Sequence, residues 1–169
     1  MNLDKNSELL TNSKLKVSFQ PLTLHNRAIL KLLVNKCFPI NYTEEFYQRV
    51  AIEYKDLASY ATLKDIIVGG IVCRIEIDCE TNKPFVHLLI ILVLEKYRGL
   101  GIAQQLMDFI TNKIRETKES ITHIQLHVQK ANKKAVDFYK KQGFAIIEEI
   151  ENYYDLEDSS AYKMKKDLI

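Results

Sequence analysis

The sequence predicts a single α/β domain. At 169 residues the chain can bury one sizeable core. Seven strand-like and four helix-like segments are interleaved along it, with no internal repeat and no low-complexity linker to divide them. The third observation is the stretch Phe85 to Lys118, where an apolar run, a glycine turn and an amphipathic helix follow one another.

Residues 1–14 are polar and aperiodic and read as a tail, leaving 15–169 as the domain. Lys16 to Gln20 alternates and suggests a first strand ended by Pro21. Thr23 or Asn26 caps a helix whose apolar positions are Ile29, Leu32, Leu33 and Cys37. Pro39 breaks it, because the residue before proline avoids the helical region. Thr43 then caps a short helix over Glu44 to Val50. Ala58 to Leu63 and Ile66 to Ile77, joined at Lys64-Asp65, read as a β-hairpin. Gly69-Gly70 within its second strand marks a bulge or a close backbone approach.

Thr81 to Pro84 forms a turn. The strand from Phe85 follows, and its unbroken apolar run from Leu88 to Leu94 predicts burial on both faces. The next helix sets Ala103, Leu106, Met107, Ile110 and Ile114 on one stripe. Ile121 to Gln129 alternates, with Ile124, Leu126 and Val128 against His123, Gln125, His127 and Gln129. A helix over Lys133 to Lys141 buries Ala135, Val136, Phe138 and Tyr139 and ends at Gly143. Strands over Ala145–Tyr154 and Ala161–Leu168 complete the chain.

Composition narrows the function classes. Apolar residues at 47% and charged residues at 27% are ordinary for a globular protein. A net charge of +2 argues against a dedicated nucleic-acid binder. The run Leu88–Leu94 is far too short to span a bilayer, and the N-terminus lacks a targeting pattern. Cys37, Cys73 and Cys79 have no metal-ligand spacing. An odd count suits a reducing compartment, and Cys37 and Cys73 read as buried packing. The expected address is the cytosol, with the nucleus as a further one.

A glycine turn between a strand and a helix is a way to build an anion site, since the first N–H groups of the helix point at the ligand. Three ligands suit such a turn: ATP, a dinucleotide and coenzyme A. No G-x-x-x-x-G-K-[ST] string exists here. Gly99-Leu100-Gly101 supplies only G-x-G, with Gln104 at the third position and mid-chain placement. Both nucleotide readings fit poorly.

Arg98-Gly99-Leu100-Gly101-Ile102-Ala103 resembles the Q/R-x-x-G-x-G/A motif of the GNAT acetyltransferases. The block Asn132…Ala135-Val136-Asp137-Phe138-Tyr139…Gly143-Phe144 resembles them too. FPINYTEEFY (38–47), LHVQKANKKAVDFYKKQGF (126–144) and ENYYDL (151–156) are similar to the San-like N-terminal acetyltransferases, the family of the NatE catalytic subunit. The similarity runs from about Val17 to Leu168. It implies a GNAT-like domain with a central mixed, mostly antiparallel sheet of about seven strands and about four flanking helices. It also implies transfer of acetyl from acetyl-CoA by direct attack of a peptide α-amine. The implied substrates are nascent or free N-termini that begin with methionine followed by an apolar residue. The implied partners are the auxiliary and catalytic subunits of a ribosome-associated NatA complex. A GNAT acting on lysine side chains or small amines, or a weakly active acetyl-CoA-binding subunit, are the alternatives.

The resemblance also implies site residues. An α-amine titrates near ~8, so a modest base suffices, and His127 on the polar face of its strand matches the family's base. His123 is read as structural. At His87 the family carries a tyrosine that serves as a second base. Histidine here either does the same work or leaves His127 alone. Ile91, Leu92, Val93 and Leu94 would offer backbone to the pantetheine arm. Arg98, Gly99, Leu100, Gly101, Ile102, Ala103 and Gln104 would hold the pyrophosphate. Asn132, Ala135, Tyr139 and Lys141 would complete the cofactor site, with the Tyr139 hydroxyl directed at the departing sulfur. Phe38, Pro39, Ile40 and Tyr42 would form one wall of a peptide slot, Tyr153 and Tyr154 the other, and Leu89, on the strand face shared with His87, would complete it. Between Asp155 and Ser160 the family carries one residue more, which bears on preference at the second substrate residue.

Overall fold

A computed structural model describes residues 15–117, 119–154 and 160–168. The predicted tail and most of the segment after Tyr154 lie outside the described residues. One seven-stranded sheet runs in the order β1-β2-β3-β4-β5-β7-β6. Its strands are β1 (Ser18–Pro21), β2 (Ala58–Leu63), β3 (Ile66–Ile77), β4 (Pro84–Val93), β5 (His123–Gln129), β6 (Ala145–Ile150) and β7 (Ala161–Asp167). The helices are α1 (Arg27–Cys37), α2 (Glu44–Ile52), α3 (Ile102–Glu116) and α4 (Lys133–Lys141). All neighbouring strands are antiparallel except β4 and β5, so the sheet is mixed and mostly antiparallel as expected. No helix among the described residues is long and apolar enough to cross a membrane.

The parallel pair positions everything else. β4 and β5 are registered at only three positions, Val86↔Ile124, His87↔Gln125 and Leu88↔Leu126. β4 nevertheless stays paired with β3 up to Val93, and β5 with β7 up to Gln129. Beyond Leu88 the two halves of the sheet therefore part. The divergence coincides with a bulge: Cys73 faces Leu88 and Val72 faces Ile90, which leaves Leu89 as the extra residue. An extra residue inverts the alternation of side chains. Val86 and Leu88 join the core under α3 and α4, and past the bulge Ile91 and Val93 do so. Leu89, Ile90 and Leu92 pack into the second core with α1 and α2.

This corrects one expectation. The apolar run in β4 is not buried throughout, because Leu89 and Ile91 are only half-buried where the neighbouring strand has departed. Other differences are local. On α1 the buried residues are Leu30, Leu33 and Val34, and Leu32 is 61% exposed. Its inward face is set by Leu30, Leu33 and Val34 packing with Tyr47 and Val50 of α2 in the second core. Ala103, Ala135 and Phe138 are half-buried, as is Cys37, whereas Cys73 is fully buried. The predicted strand over Ala145–Tyr154 stops at Ile150. Asn152 adopts φ +52, which turns the chain out of the sheet and puts Tyr153 and Tyr154 in a loop. The Lys64-Asp65 hairpin turn, with φ +48 and +66, the Thr43 cap on Phe46 N–H, and the end of α4 at Gly143 all match the sequence reading.

Tyr60 joins the hairpin to α1. Its hydroxyl donates to the Asn26 carbonyl at 2.9 Å and accepts from Leu30 N–H at 3.1 Å, with the residue fully buried. Tyr60→Phe would strip both partners and is expected to cost about 1–3 kcal/mol, read as a lower urea midpoint with unchanged slope.

Candidate active site

The opening between β4 and β5 is flanked on one side by the glycine turn. Gly99 and Gly101 have φ of +77 and +76, and a Cβ built on either would meet no protein atom within 4 Å. The left-handed backbone, not crowding, requires glycine here, and it leaves open space over the turn. Gly101 is the N-cap of α3, no side chain caps that terminus, and no acidic residue occupies its first turn. The free N–H groups and the positive end of the helix dipole thus face that space. A cleft of about 390 Å³ lies there, lined by Val93, Arg98, Gly99, Gly101, Ile102, Ala103, Gln104 and Lys141 among the expected residues. Tyr97, Phe138 and Gln142 also line it and were not anticipated.

Not every expected cofactor residue presents its side chain to this cleft. Arg98 Nε donates to the Val93 carbonyl at 2.9 Å, tying the turn to the end of β4. Ile102 is buried in the core and Leu100 is 45% exposed, so only their backbone is available to a phosphate. Asn132 uses its side-chain oxygen to cap α4 at Ala135 N–H, 3.2 Å away. Leu92 is buried; Ile91, Leu94 and Ala135 are half-buried and lie outside the cleft lining. Tyr139 is buried between Phe138 and Phe144, in edge contact with both. Burial, then the nearby Tyr154 and Cys73, push its phenol upward, so the hydroxyl keeps its proton.

Two histidines sit where the strands part. His87 on β4 and His127 on β5 approach to 3.3 Å between His87 Nε2 and His127 Nδ1. Burial, then the neighbouring His87 and Lys163, lower the His127 pKa to about 4. Tyr153 stacks on His127 with ring centroids 4.5 Å apart, and Tyr154 meets Tyr153 edge-on. From the other loop, Tyr42 stacks on Phe46. The Tyr42 phenol is raised by burial and then by Tyr47 and Tyr153. That of Tyr154 is pushed up to about 12 by burial, Tyr153 and Tyr42. The two aromatic loops therefore converge over the histidines. Phe38, Tyr42 and Leu89 pack against the same second core, with Ile40 half-buried and Pro39 exposed beside them.

His123 plays no part in this. It is 6% exposed, stacked on Phe85 and hydrogen-bonded to Thr122, as a structural histidine would be.

A strand pair that opens beside a glycine turn, with a pair of histidines at the fork, has clear relatives. The profile of the Acetyltransferase (GNAT) family matches residues 28–144. The chain belongs to the GNAT acetyltransferase family. Among curated GNAT proteins, N-alpha-acetyltransferase 50 of Danio rerio is 36% identical over 90% of this chain and 89% of its own. The probable N-acetyltransferase san of Drosophila melanogaster is 37% identical over 87% of this chain and 78% of its own. Among solved GNAT structures, Arabidopsis thaliana Naa50 in complex with the bisubstrate analogue CoA-Ac-MVNAL superposes with a TM-score of 0.79. It is 34% identical and covers 89% of this chain and 97% of that one.

The sequence reading missed Arg74 and Glu76 on β3. Glu76 Oε1 lies 2.7 Å from His87 Nδ1 and 2.5 Å from Arg74 Nε. Burial works to raise the Glu76 carboxyl, but hydrogen bonds from His87 and Arg74 outweigh it and hold it below the usual range. Two charged residues at i and i+2 late in an apolar strand were the available signal, since both must share one face.

Proposed function

We propose that this chain is an N-terminal protein acetyltransferase that moves acetyl from acetyl-CoA to the α-amine of peptides. The carrying observation is the His87–His127 pair at the fork of β4 and β5, with the open glycine turn on one side and the converging aromatic loops on the other. The likeness to N-alpha-acetyltransferase 50, san and an Naa50 structure supports it.

The residues suit coenzyme A. The uncapped N-terminus of α3, the space over Gly99 and Gly101, and the basic Arg98 and Lys141 fit a pyrophosphate. The parted edge of β4 from Ile91 to Leu94 suits an amide-bearing arm. Acetyl-CoA supplies the acetyl group as a thioester. His127 takes the amine proton, with His87 hydrogen-bonded behind it, and Tyr139 offers its O–H toward the departing sulfur. Phe38, Ile40, Tyr42, Leu89, Tyr153 and Tyr154 form the slot for the first substrate side chain. Their apolar and phenolic character favours methionine followed by an apolar residue.

Peptides with free and blocked N-termini, varied at residues one and two, test this. Acetylation confined to free, methionine-starting peptides is expected. Retained activity on blocked peptides would instead identify a lysine or small-amine acetyltransferase, and acetyl-CoA binding without turnover a weakly active subunit. The same reading puts the protein in the cytosol, docked on a NatA-type complex at the ribosome. Co-sedimentation with ribosomes carrying that complex, lost when the complex is depleted, is the expected result.

A further inference from the structure

On β3, Arg74 is registered opposite His87, and Glu76 lies two residues on, so both share the face that carries His87. The contacts form a line. Arg74 Nε donates to Glu76 Oε1, Glu76 Oε1 meets His87 Nδ1, and His87 Nε2 meets His127 Nδ1. An ionised carboxylate can only accept hydrogen bonds, so the Nδ1 of His87 must carry the proton. In neutral His87 the Nε2 is then a lone pair, which must accept from His127 Nδ1–H. That leaves His127 Nε2 as the lone pair available to a substrate. With His87 neutral, each step follows from donor and acceptor capacity.

We propose that Glu76 is a positioning residue for acetyl transfer, fixing the tautomers of His87 and His127 in turn so that His127 Nε2 is the proton acceptor. The proposal rests on the acetyltransferase reading of the same site. In the reaction a C–N bond forms and the thioester C–S bond breaks. The amine proton passes to His127 Nε2, and a proton from the Tyr139 hydroxyl or solvent meets the sulfur. The His127 Nδ1 proton can then shift to His87 Nε2. This leaves neutral His127 and a His87 imidazolium whose Nδ1–H is held by the Glu76 carboxylate. His127 alone is a weak resting place for the proton, being desolvated and lowered to about 4. A carboxylate one ring further back holds the charge where it is paired.

The charged and titratable groups around the pair are few. From β3 come Glu76 and Arg74, the latter hydrogen-bonded to Tyr54 as well. From β7 comes Lys163, registered opposite His127 and ion-paired with Glu148 of β6 at 3.5 Å. Tyr153 covers the ring. Of these, Glu76 is the one carboxylate among the described residues that hydrogen-bonds a ring nitrogen of the pair.

The test has two parts. The first needs no variant and no turnover. The chain has four histidines, so their ring nitrogens can be assigned by 15N NMR at slightly alkaline pH. Nδ1–H tautomers at both His87 and His127 are expected, and an Nε2–H tautomer at His127 overturns the proposal. The second part uses Glu76→Gln, which keeps the side-chain size and an acceptor oxygen but loses the charge. Its kcat is expected to fall at least about 10-fold with acetyl-CoA affinity unchanged. The acid limb of its kcat–pH profile should move about one unit lower, because without the carboxylate the pair is harder to protonate. The substrate amine contributes equally to both enzymes, so the difference belongs to the pair. Wild-type kcat with an unmoved limb overturns the proposal. A lower stability or raised KM with an unmoved limb marks a structural role and overturns it too. If the wild type acetylates no free N-terminus, the acetyltransferase reading fails instead, and the tautomers alone decide the role of Glu76.

Discussion

His127→Ala lowers kcat for peptide acetylation by about 10²–10⁴-fold while leaving acetyl-CoA affinity unchanged. The cleft over the glycine turn, proposed for coenzyme A, takes no lining from His127, so binding and turnover separate. The same substitution has a stability signature. His127 falls from an ordinary 6.5 to about 4 in the fold, because burial penalises its charged form. A group lowered in this way contributes stability that is complete above the unfolded value and is lost as pH falls towards the folded one. Wild-type melting temperature therefore drops between pH 6.5 and about 4. The alanine variant should show a shallower drop over that window. The slope does not vanish, because His123 is lowered in the same direction by burial. Measuring kcat, acetyl-CoA affinity and the melting curve on one preparation checks all three. Undiminished turnover removes His127 as the base.

Gly69→Ala destabilises the fold by about 2–3 kcal/mol and weakens acetyl-CoA binding with it. A Cβ on Gly69 would stand 2.6 Å from the Leu92 carbonyl oxygen, a backbone atom with no rotamer to escape into. β3 and β4 are the central pair of the sheet, so the strain cannot be shed at an edge. The next residue before Gly69, Val68, is the extra residue of a bulge against β2 and receives Leu94 N–H through its carbonyl. Pushing Leu92 outward therefore disturbs the segment Ile91–Leu94 proposed to face the pantetheine arm. A fall of roughly 6–10 °C in melting temperature is expected, with a raised acetyl-CoA dissociation constant. Gly70→Ala is the control, since its Cβ would meet nothing closer than 3.4 Å. Equal effects at the two glycines would remove the close-approach explanation.

The sequence was most informative where chemistry and local geometry coincide. Gly99 and Gly101 were legible because a left-handed turn at a helix start leaves few residue choices, and φ of +77 and +76 bear that out. The hairpin ends and α4 were legible to the residue, because Lys64-Asp65 and Gly143 act on their own neighbours. The alternation of β5 identified its polar face and so set His127 apart from the core. It could not separate His123 from His127. Only the ring of Phe85, reached across the sheet, makes the first structural.

Register and strand divergence are collective properties, and there the sequence fell short. The seven apolar residues of β4 read as doubly buried because nothing local shows that β5 leaves after Leu88. The bulge at Leu89, past which Ile90 and Leu92 face the second core, depends on pairing with β3 across a turn. Glu76 was overlooked for the same reason. The Arg74/Glu76 pair marks one polar face of β3, but which ring that face meets depends on the register of β3 against β4.

The sequence by itself determined an α/β chain of one domain, a glycine turn at a helix start, a GNAT resemblance and the polar face of β5 that carries His127. These rest on short-range propensity and on motifs whose residues act within a few positions of one another. The tertiary structure decided that β4 and β5 part at Leu88, that two histidines meet at 3.3 Å, and that a carboxylate stands behind them. Those contacts join three strands, and each is fixed by how whole strands pair, which no single segment encodes.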